Sequence, residues 1–305
     1  MRGLKTPATL PRLDRRSLLQ YGGAISCLTL LQPLTEALAA GARLPSRVVS
    51  IGGALTEMVY ALGAAPQLAG VDTTSLFPQA ATKLPSVGYA RALSVEGILS
   101  LAPDLILATE DAGPPDVIRK LQSAKVNVAI LPANHQFEGM LTRFQAVGKL
   151  LGKEALANKQ IQQLKADWAA ARTQITTGTR SKKKVLFVLS HGPSQIMVGG
   201  KETSADAMLD YVGMDNAMGN VSGYKPMTTE AVIAAQPDIV LFTSQGLSAI
   251  GGVNGALKLP GIAQTPAGKS QRIVSQEAML MLGFGPRMPQ ALQALDQVLQ
   301  QSLKA

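Results

Sequence analysis

From residue 47 onward, short β-branched runs alternate with stretches of helical spacing. Residues 47–51 (RVVSI) end in Gly52-Gly53, and apolar positions then recur at helical spacing from Ala54 to Leu62 before Gly63, which predicts a strand, a glycine turn and a helix. Residues 68–71 form the next predicted strand, 95–101 a helix stopped at Pro103, and 105–108 a third strand. A helix over 117–123 and a strand over 126–131 follow. Strand and helix in alternation predict a mainly parallel sheet covered by helices. The pattern restarts with the strand 184–189 (KVLFVL), a loop from Ser190 to Gly200 and a helix over 204–212.

A direct internal match supports the restart. Residues 94–107 (SVEGILSLAPDLIL) align with 228–241 (TTEAVIAAQPDIVL), so that Glu96 and Glu230, Pro103 and Pro237, and Asp104 and Asp238 are each 134 positions apart. A repeated helix, Pro-Asp turn and strand is a whole supersecondary unit, and it implies two similar lobes. Between them, residues 137–176 hold almost no breaker besides Gly148 and Gly152, with Leu141, Phe144, Val147, Leu151, Ile161, Leu164, Trp168 and Arg172 at or near helical spacing. The fold class expected is therefore α/β, two Rossmann-like lobes with mainly parallel sheets joined by a long rigid helix. The boundaries are an export signal over 1–39, an N-terminal lobe over 40–136, a bridging helix over 137–178 and a C-terminal lobe over 179–305.

The first 39 residues read as a leader: basic at Arg2, Lys5, Arg12, Arg15 and Arg16, apolar from 22 to 31, and small at Ala37-Leu38-Ala39. Arg15-Arg16 fits a twin-arginine signal and the basic region of a general secretory one equally, and both lead out of the cytoplasm. The single cysteine, Cys27, lies in this leader, so the remainder has no disulfide, thiol nucleophile or cysteine metal site. A later cleavage site at Ala39 argues against a lipid anchor at Cys27. Of 29 basic and 20 acidic residues the leader holds five and two, which leaves 24 against 18, or +6. The one basic cluster, Arg180 with Lys182, Lys183 and Lys184, directly precedes a strand and reads as a solvated junction, so no nucleic-acid partner is expected.

Export, two lobes, the repeat and the helical bridge together resemble a substrate-binding protein of an ABC importer for metal chelates. The residues that carry the resemblance are 50–57 (SIGGALTE) with Ala61-Leu62-Gly63, the two Glu-to-Pro-Asp units, and 283–287 (GFGPR). Within that family, residues 84–93 (LPSVGYARAL) resemble the segment of periplasmic haem-binding proteins that carries the iron-ligating tyrosine. The resemblance implies Tyr89 as the iron ligand, haem as the transported ligand without a catalytic cofactor, and a periplasmic monomer. It also implies docking to arginines of an inner-membrane permease through Glu96 and Glu230, one on each lobe; as local structure, each glutamate simply favours a helix N-terminus.

A phenol with its ordinary pKa near 10 is scarcely ionised at neutral pH, so ligation needs the iron(III) centre itself or a nearby cation to favour ionisation. Arg91, two residues on, sits on the same side of an extended segment as Tyr89, where it can donate to the phenolate or hold a haem propionate. From the opposite lobe, Tyr224 and Lys225 are candidates to stack on the porphyrin or meet a propionate, and Arg287 to meet a propionate. Of the two histidines, His191 follows a predicted strand and is a candidate second haem contact or ligand; His135 follows another strand and is a weaker candidate. A ferric siderophore or cobalamin is the alternative ligand. An enzyme is not expected: the chain has no usable cysteine, no Gly-x-Ser-x-Gly elbow and no histidine-rich metal set.

Overall fold

The computed structural model describes residues 44–176, 182–190, 192 and 195–304. The expected leader with Cys27, the residue Arg180 and the candidate His191 lie outside the described residues. In the first half, β1 (Val48–Ile51), α1 (Gly53–Ala61), β2 (Leu68–Val71), α2 (Val95–Leu99), β3 (Leu105–Thr109), α3 (Pro115–Ser123) and β4 (Asn127–Leu131) follow the sequence expectation closely. All four strands are parallel in the order β2-β1-β3-β4. Their carboxyl ends share one edge of the sheet, where ligands bind in open α/β folds.

The segment expected as one long bridging helix is two helices, α4 (Phe137–Leu150) and α5 (Glu154–Thr176). Gly152 takes φ +67, a left-handed conformation that glycine adopts without steric cost and that ends α4. The chain then turns back, and α5 packs on α4 so tightly that a Cβ at Gly148 would lie 2.4 Å from that of Ala157. Trp168 of α5 stacks on Phe137 with ring centroids 4.4 Å apart and meets Tyr211 edge-on at 4.8 Å. Thus the bridge is a packed helical hairpin, not a single rod.

The second half comprises β5 (Lys184–Ser190), β6 (Ile196–Gly199), α6 (Ser204–Tyr211), β7 (Asp215–Asn216), β8 (Tyr224–Pro226), α7 (Thr229–Ala235), β9 (Ile239–Thr243), α8 (Ser244–Ala249), α9 (Gly252–Ala256), α10 (Pro266–Lys269), β10 (Ile273–Gln276), α11 (Ala278–Leu282) and α12 (Met288–Lys304). Strands β10, β9 and β5 run parallel, whereas β6 pairs antiparallel with β5 and β8 antiparallel with β6, so this sheet is mixed. The expected loop over 190–200 therefore contains a strand. Its run, IMVG, is too short for periodicity to distinguish from a loop.

Strand alternation sorts the core. Val48, Leu105 and Leu107 of the first sheet and Val185, Phe187, Ile239 and Leu241 of the second share one buried cluster with α1, α4, α5, α6 and α12. Their neighbours point the other way: Val49, Ile51, Ile106 and Ala108 into a second cluster, and Leu186, Val188, Val240 and Phe242 into a third. Period-two alternation with both faces buried is what helix-covered strands require. Because the inner faces share a core, the chain from Pro45 onward clusters as one unit. Each fully buried Leu or Phe there contributes about 1.5–3 kcal/mol.

The sequence repeat has a physical counterpart. Ser94 and Thr228 cap α2 and α7 by accepting from the N–H groups of Gly97 and Ala231. Asp104 accepts from the backbone N–H groups of Ser46 (2.8 Å) and Arg47 (3.0 Å), which lead into β1. Asp238 likewise accepts from the N–H of Lys184 (2.9 Å), the first residue of β5. Each Pro-Asp unit thus clasps the strand beside its own, as a turn residue that fastens a neighbouring strand.

Candidate functional site

Residues 85–87 run beside the end of β2: the Val71 N–H donates to Pro85 O and the Val87 N–H to Val71 O, both at 2.9 Å. Gly88, at φ +90, then swings the chain into a turn in which the Ala92 N–H donates to Tyr89 O. Two further bonds tie this turn to the segment after β3, from Leu93 N–H to Gly113 O (3.0 Å) and from Gly113 N–H to Ala90 O (2.9 Å). Tyr89 is thereby held at the carboxyl edge of the first sheet with 42% of its surface exposed.

Arg91 donates from Nη1 to the Tyr89 hydroxyl oxygen at 2.8 Å and from Nη2 to Asp111 Oδ2 at 2.5 Å. Burial works against the Arg91 charge, but Tyr89 and Asp111 outweigh it and raise its pKa further. Arg91 thus meets Tyr89 as expected, but through the turn of residues 89–92 and not along an extended segment. Asp111 was not among the expected residues, although a Thr-x-Asp run at the end of a predicted strand is a signal worth following in such sheets.

Tyr224 lies on β8, half-buried, with its hydroxyl 3.3 Å from Ser204 Oγ and its ring edge-on to Phe187 at 6.4 Å. Burial pushes its phenol up, while the Ser204 and Thr203 hydroxyls and the charge of Arg91 act the other way. The charge of Arg91, from the first half, is thus felt at the Tyr224 phenol of the second. Lys225 is exposed on β8. His135 packs edge-on to Phe284 at 5.4 Å, and burial, helped by Arg143 and opposed by Asp111, lowers its pKa below the ordinary 6.5.

Arg287 is placed differently from its neighbours. Its Nε and Nη2 reach Glu57 Oε2 (2.9 Å) and Oε1 (2.5 Å), Glu277 lies 3.6 Å away, and its guanidinium carbon sits 3.9 Å from the centre of the Phe77 ring. A Cβ at Gly285 would come within 3.2 Å of Glu57 Oε2, so glycine there admits the carboxylate. The loop that carries Phe77 is anchored at its base by the buried Asp72, which accepts from Gly52 N–H, Thr74 N–H and the hydroxyls of Thr74 and Ser75. Arg143, 3% exposed, donates to the carbonyls of Pro132, Asn134 and Phe284 and so joins both halves. Asp72 and Arg143 carried no local signal in the sequence, and Glu57 stood there only as the last residue of the 50–57 motif.

Glu96 and Glu230 stand exposed in the first turns of α2 and α7. Glu96 receives one long hydrogen bond, from Ser94 Oγ at 3.4 Å, and Glu230 pairs with no cation among the described residues. A pocket of about 290 Å³ bounded by Ile250, Asn254, Lys258 and Leu259 adjoins α9, apart from the tyrosine. Among the described residues no group of three or more His, Cys, Asp or Glu is placed to hold a metal ion, and no helix is long and apolar enough to cross a membrane.

Two sheets over a shared core, with Tyr89 and its arginine at the carboxyl edge of the first, give the architecture of a two-lobed ligand-binding protein. Residues 48–278 match the family described as periplasmic binding protein, and the chain belongs to that family. Among solved structures it is similar to the periplasmic heme-binding protein BhuT in complex with two hemes, with 44% identity, a TM-score of 0.80, and 84% of this chain and 98% of that one covered. It is also similar to the uncharacterized ABC transporter substrate-binding lipoprotein YvrC of Bacillus subtilis, 27% identical over 253 residues, 82% of this chain and 79% of YvrC. A vitamin B12-binding protein of Vibrio campbellii is 25% identical over 203 residues, 66% of this chain and 72% of that protein.

Proposed function

We propose that this protein captures haem in the periplasm and delivers it to an inner-membrane ABC importer, acting as a carrier and not as an enzyme. The observation that carries this reading is an exposed Tyr89 whose oxygen is held by Arg91 at the carboxyl edge of a sheet. Similarity to a heme-binding protein at 44% identity over nearly all of that chain supports it. An ionised tyrosine oxygen is a hard anionic donor suited to iron(III), and the Arg91 bond becomes charge-assisted once the proton leaves. Tyr224 supplies an aromatic surface from the opposite side, with Lys225 on the same strand for a propionate. Glu96 and Glu230 project from equivalent positions of the repeat toward arginines of the permease, which orients docking.

The test is a titration of the apo protein with ferric haem, comparing wild type with Tyr89→Phe. A saturable ferric spectrum with a phenolate-to-iron band that the variant lacks supports the reading. A spectrum identical to free haem redirects the site to cobalamin or a ferric siderophore, the reading favoured by the vitamin B12-binding relatives. A bound spectrum unchanged in the variant moves the iron ligand elsewhere.

A further inference from the structure

We infer that Asp111 is a positioning residue for the iron-binding phenol, acting through Arg91; the inference rests on the haem reading above. Arg91 carries a planar fork of donors on a long, rotatable stem. One nitrogen reaches the Tyr89 oxygen at 2.8 Å and another reaches Asp111 Oδ2 at 2.5 Å. The second carboxylate oxygen of Asp111 accepts from the Thr109 hydroxyl at 2.6 Å. Thr109 is the last residue of β3, so four side chains run in line from the rigid edge of the sheet to the exposed phenol.

Three features make this a support for the tyrosine and not a casual surface ion pair. The turns bearing Tyr89 and Asp111 are joined by the two backbone bonds between Gly113 and residues 90 and 93, so they move as one piece. The adjacent carboxylate, Glu110, is turned away and accepts from the Ala133 N–H at 3.0 Å. The guanidinium carbon of Arg91 also lies over the Tyr89 ring, 6.0 Å from its centre, so the arginine meets the phenol through its ring as well as its oxygen. Without Asp111 a largely exposed arginine would exchange among rotamers and water partners. With it, one N–H is aimed at the phenol oxygen and another is held by Asp111. Of the two roles open to Arg91 from its spacing, the phenolate partner is the one this geometry already holds in place.

The experiment uses the full chain loaded with ferric haem, as wild type, Asp111→Asn, Asp111→Glu, Arg91→Gln and the double variant Arg91→Gln/Asp111→Asn. The readouts are the phenolate-to-iron band and the rate of haem loss to a scavenging apoprotein. Asp111→Asn is expected to move the band to longer wavelength, in the same direction as Arg91→Gln, because the oxygen loses a fixed hydrogen bond. Haem loss should quicken about fivefold, the scale of one hydrogen bond. Asp111→Glu should restore most of both, and the double variant should match Arg91→Gln alone, since residues acting in one relay are not additive. An Asp111→Asn variant with wild-type band and rate, or a fully additive double variant, overturns the inference while the haem reading stands. A wild type without any phenolate band overturns the haem reading and this inference together.

Discussion

Arg287 and Glu57, 230 positions apart, form a two-point ion pair at 2.9 and 2.5 Å across the two halves of the protein. Glu57 is 5% exposed and Arg287 22%. With Glu277 on one side and the Phe77 ring under its plane, the guanidinium is supplied with partners from within the chain. Its proposed contact with a propionate therefore competes with Glu57.

Breaking such a pair from one side leaves a buried charge uncompensated, which costs about 3–5 kcal/mol. Arg287→Ala should lower unfolding stability by that order in a urea titration. Arg287→Ala combined with Glu57→Gln should recover part of the loss, because the stranded carboxylate is gone.

Burial raises the Glu57 carboxyl above its ordinary 4.5, with Glu277 adding to the effect and Arg287 opposing it. The folded state then holds a proton that the unfolded chain has already released, so this group's contribution to stability falls as pH rises from about 4.5 through the higher folded value. Subtracting the stability profile of Glu57→Gln from that of wild type, measured by urea unfolding in steps from pH 4 upward, should expose that downward slope. A flat difference across the window would show that Arg287 fully compensates burial.

Asp104 and Asp238 fasten neighbouring strands in the same way, and Asp104 has a lowered pKa: modest burial opposes its charge, but the Ser46 and Arg47 hydrogen bonds prevail. Its stabilising contribution is present above the unfolded value of 3.8 and is lost as pH falls through the lower folded one. Asp104→Ala and Asp238→Ala should each cost about 1 kcal/mol. Lying in different sheets, they should add in the double variant when thermal unfolding is followed by circular dichroism.

Glu96 and Glu230 accept little from the rest of the chain, so replacing them should not disturb it. Glu96→Ala/Glu230→Ala should keep wild-type unfolding stability and haem titration yet deliver haem poorly to the importer reconstituted in vesicles. Raising salt should narrow the difference, because exposed charges are screened over about 8–10 Å at physiological ionic strength.

The core shared by both sheets, together with the α4–α5 hairpin, resists hinge motion. Backbone shifts between the apo and haem-loaded protein should stay near ~1 Å, as in preorganised complexes. Small-angle scattering profiles of the two states should superimpose; a marked contraction on loading would contradict this.

Much of the fold was legible before any coordinates, and for a local reason. The strands 48–51, 105–109 and 184–190 and the capped helices at Ser94 and Thr228 are set by side-chain period and by hydrogen bonds within four residues. The repeat revealed two equivalent units, and a spacing of two brought Tyr89 and Arg91 together. Other features depended on contacts that no local pattern encodes. One left-handed residue, Gly152, turned an expected rod into a hairpin, and a four-residue hairpin strand hid within an expected loop. Asp111 meets Arg91 from 20 positions away, Phe284 meets Arg143 from 141, and Glu57 meets Arg287 from 230. Short-range sterics and periodicity are written residue by residue, so the sequence alone determined the elements and their repeat. Which charge faces which is set by how the sheets pack over their common core, and only the tertiary structure decided that.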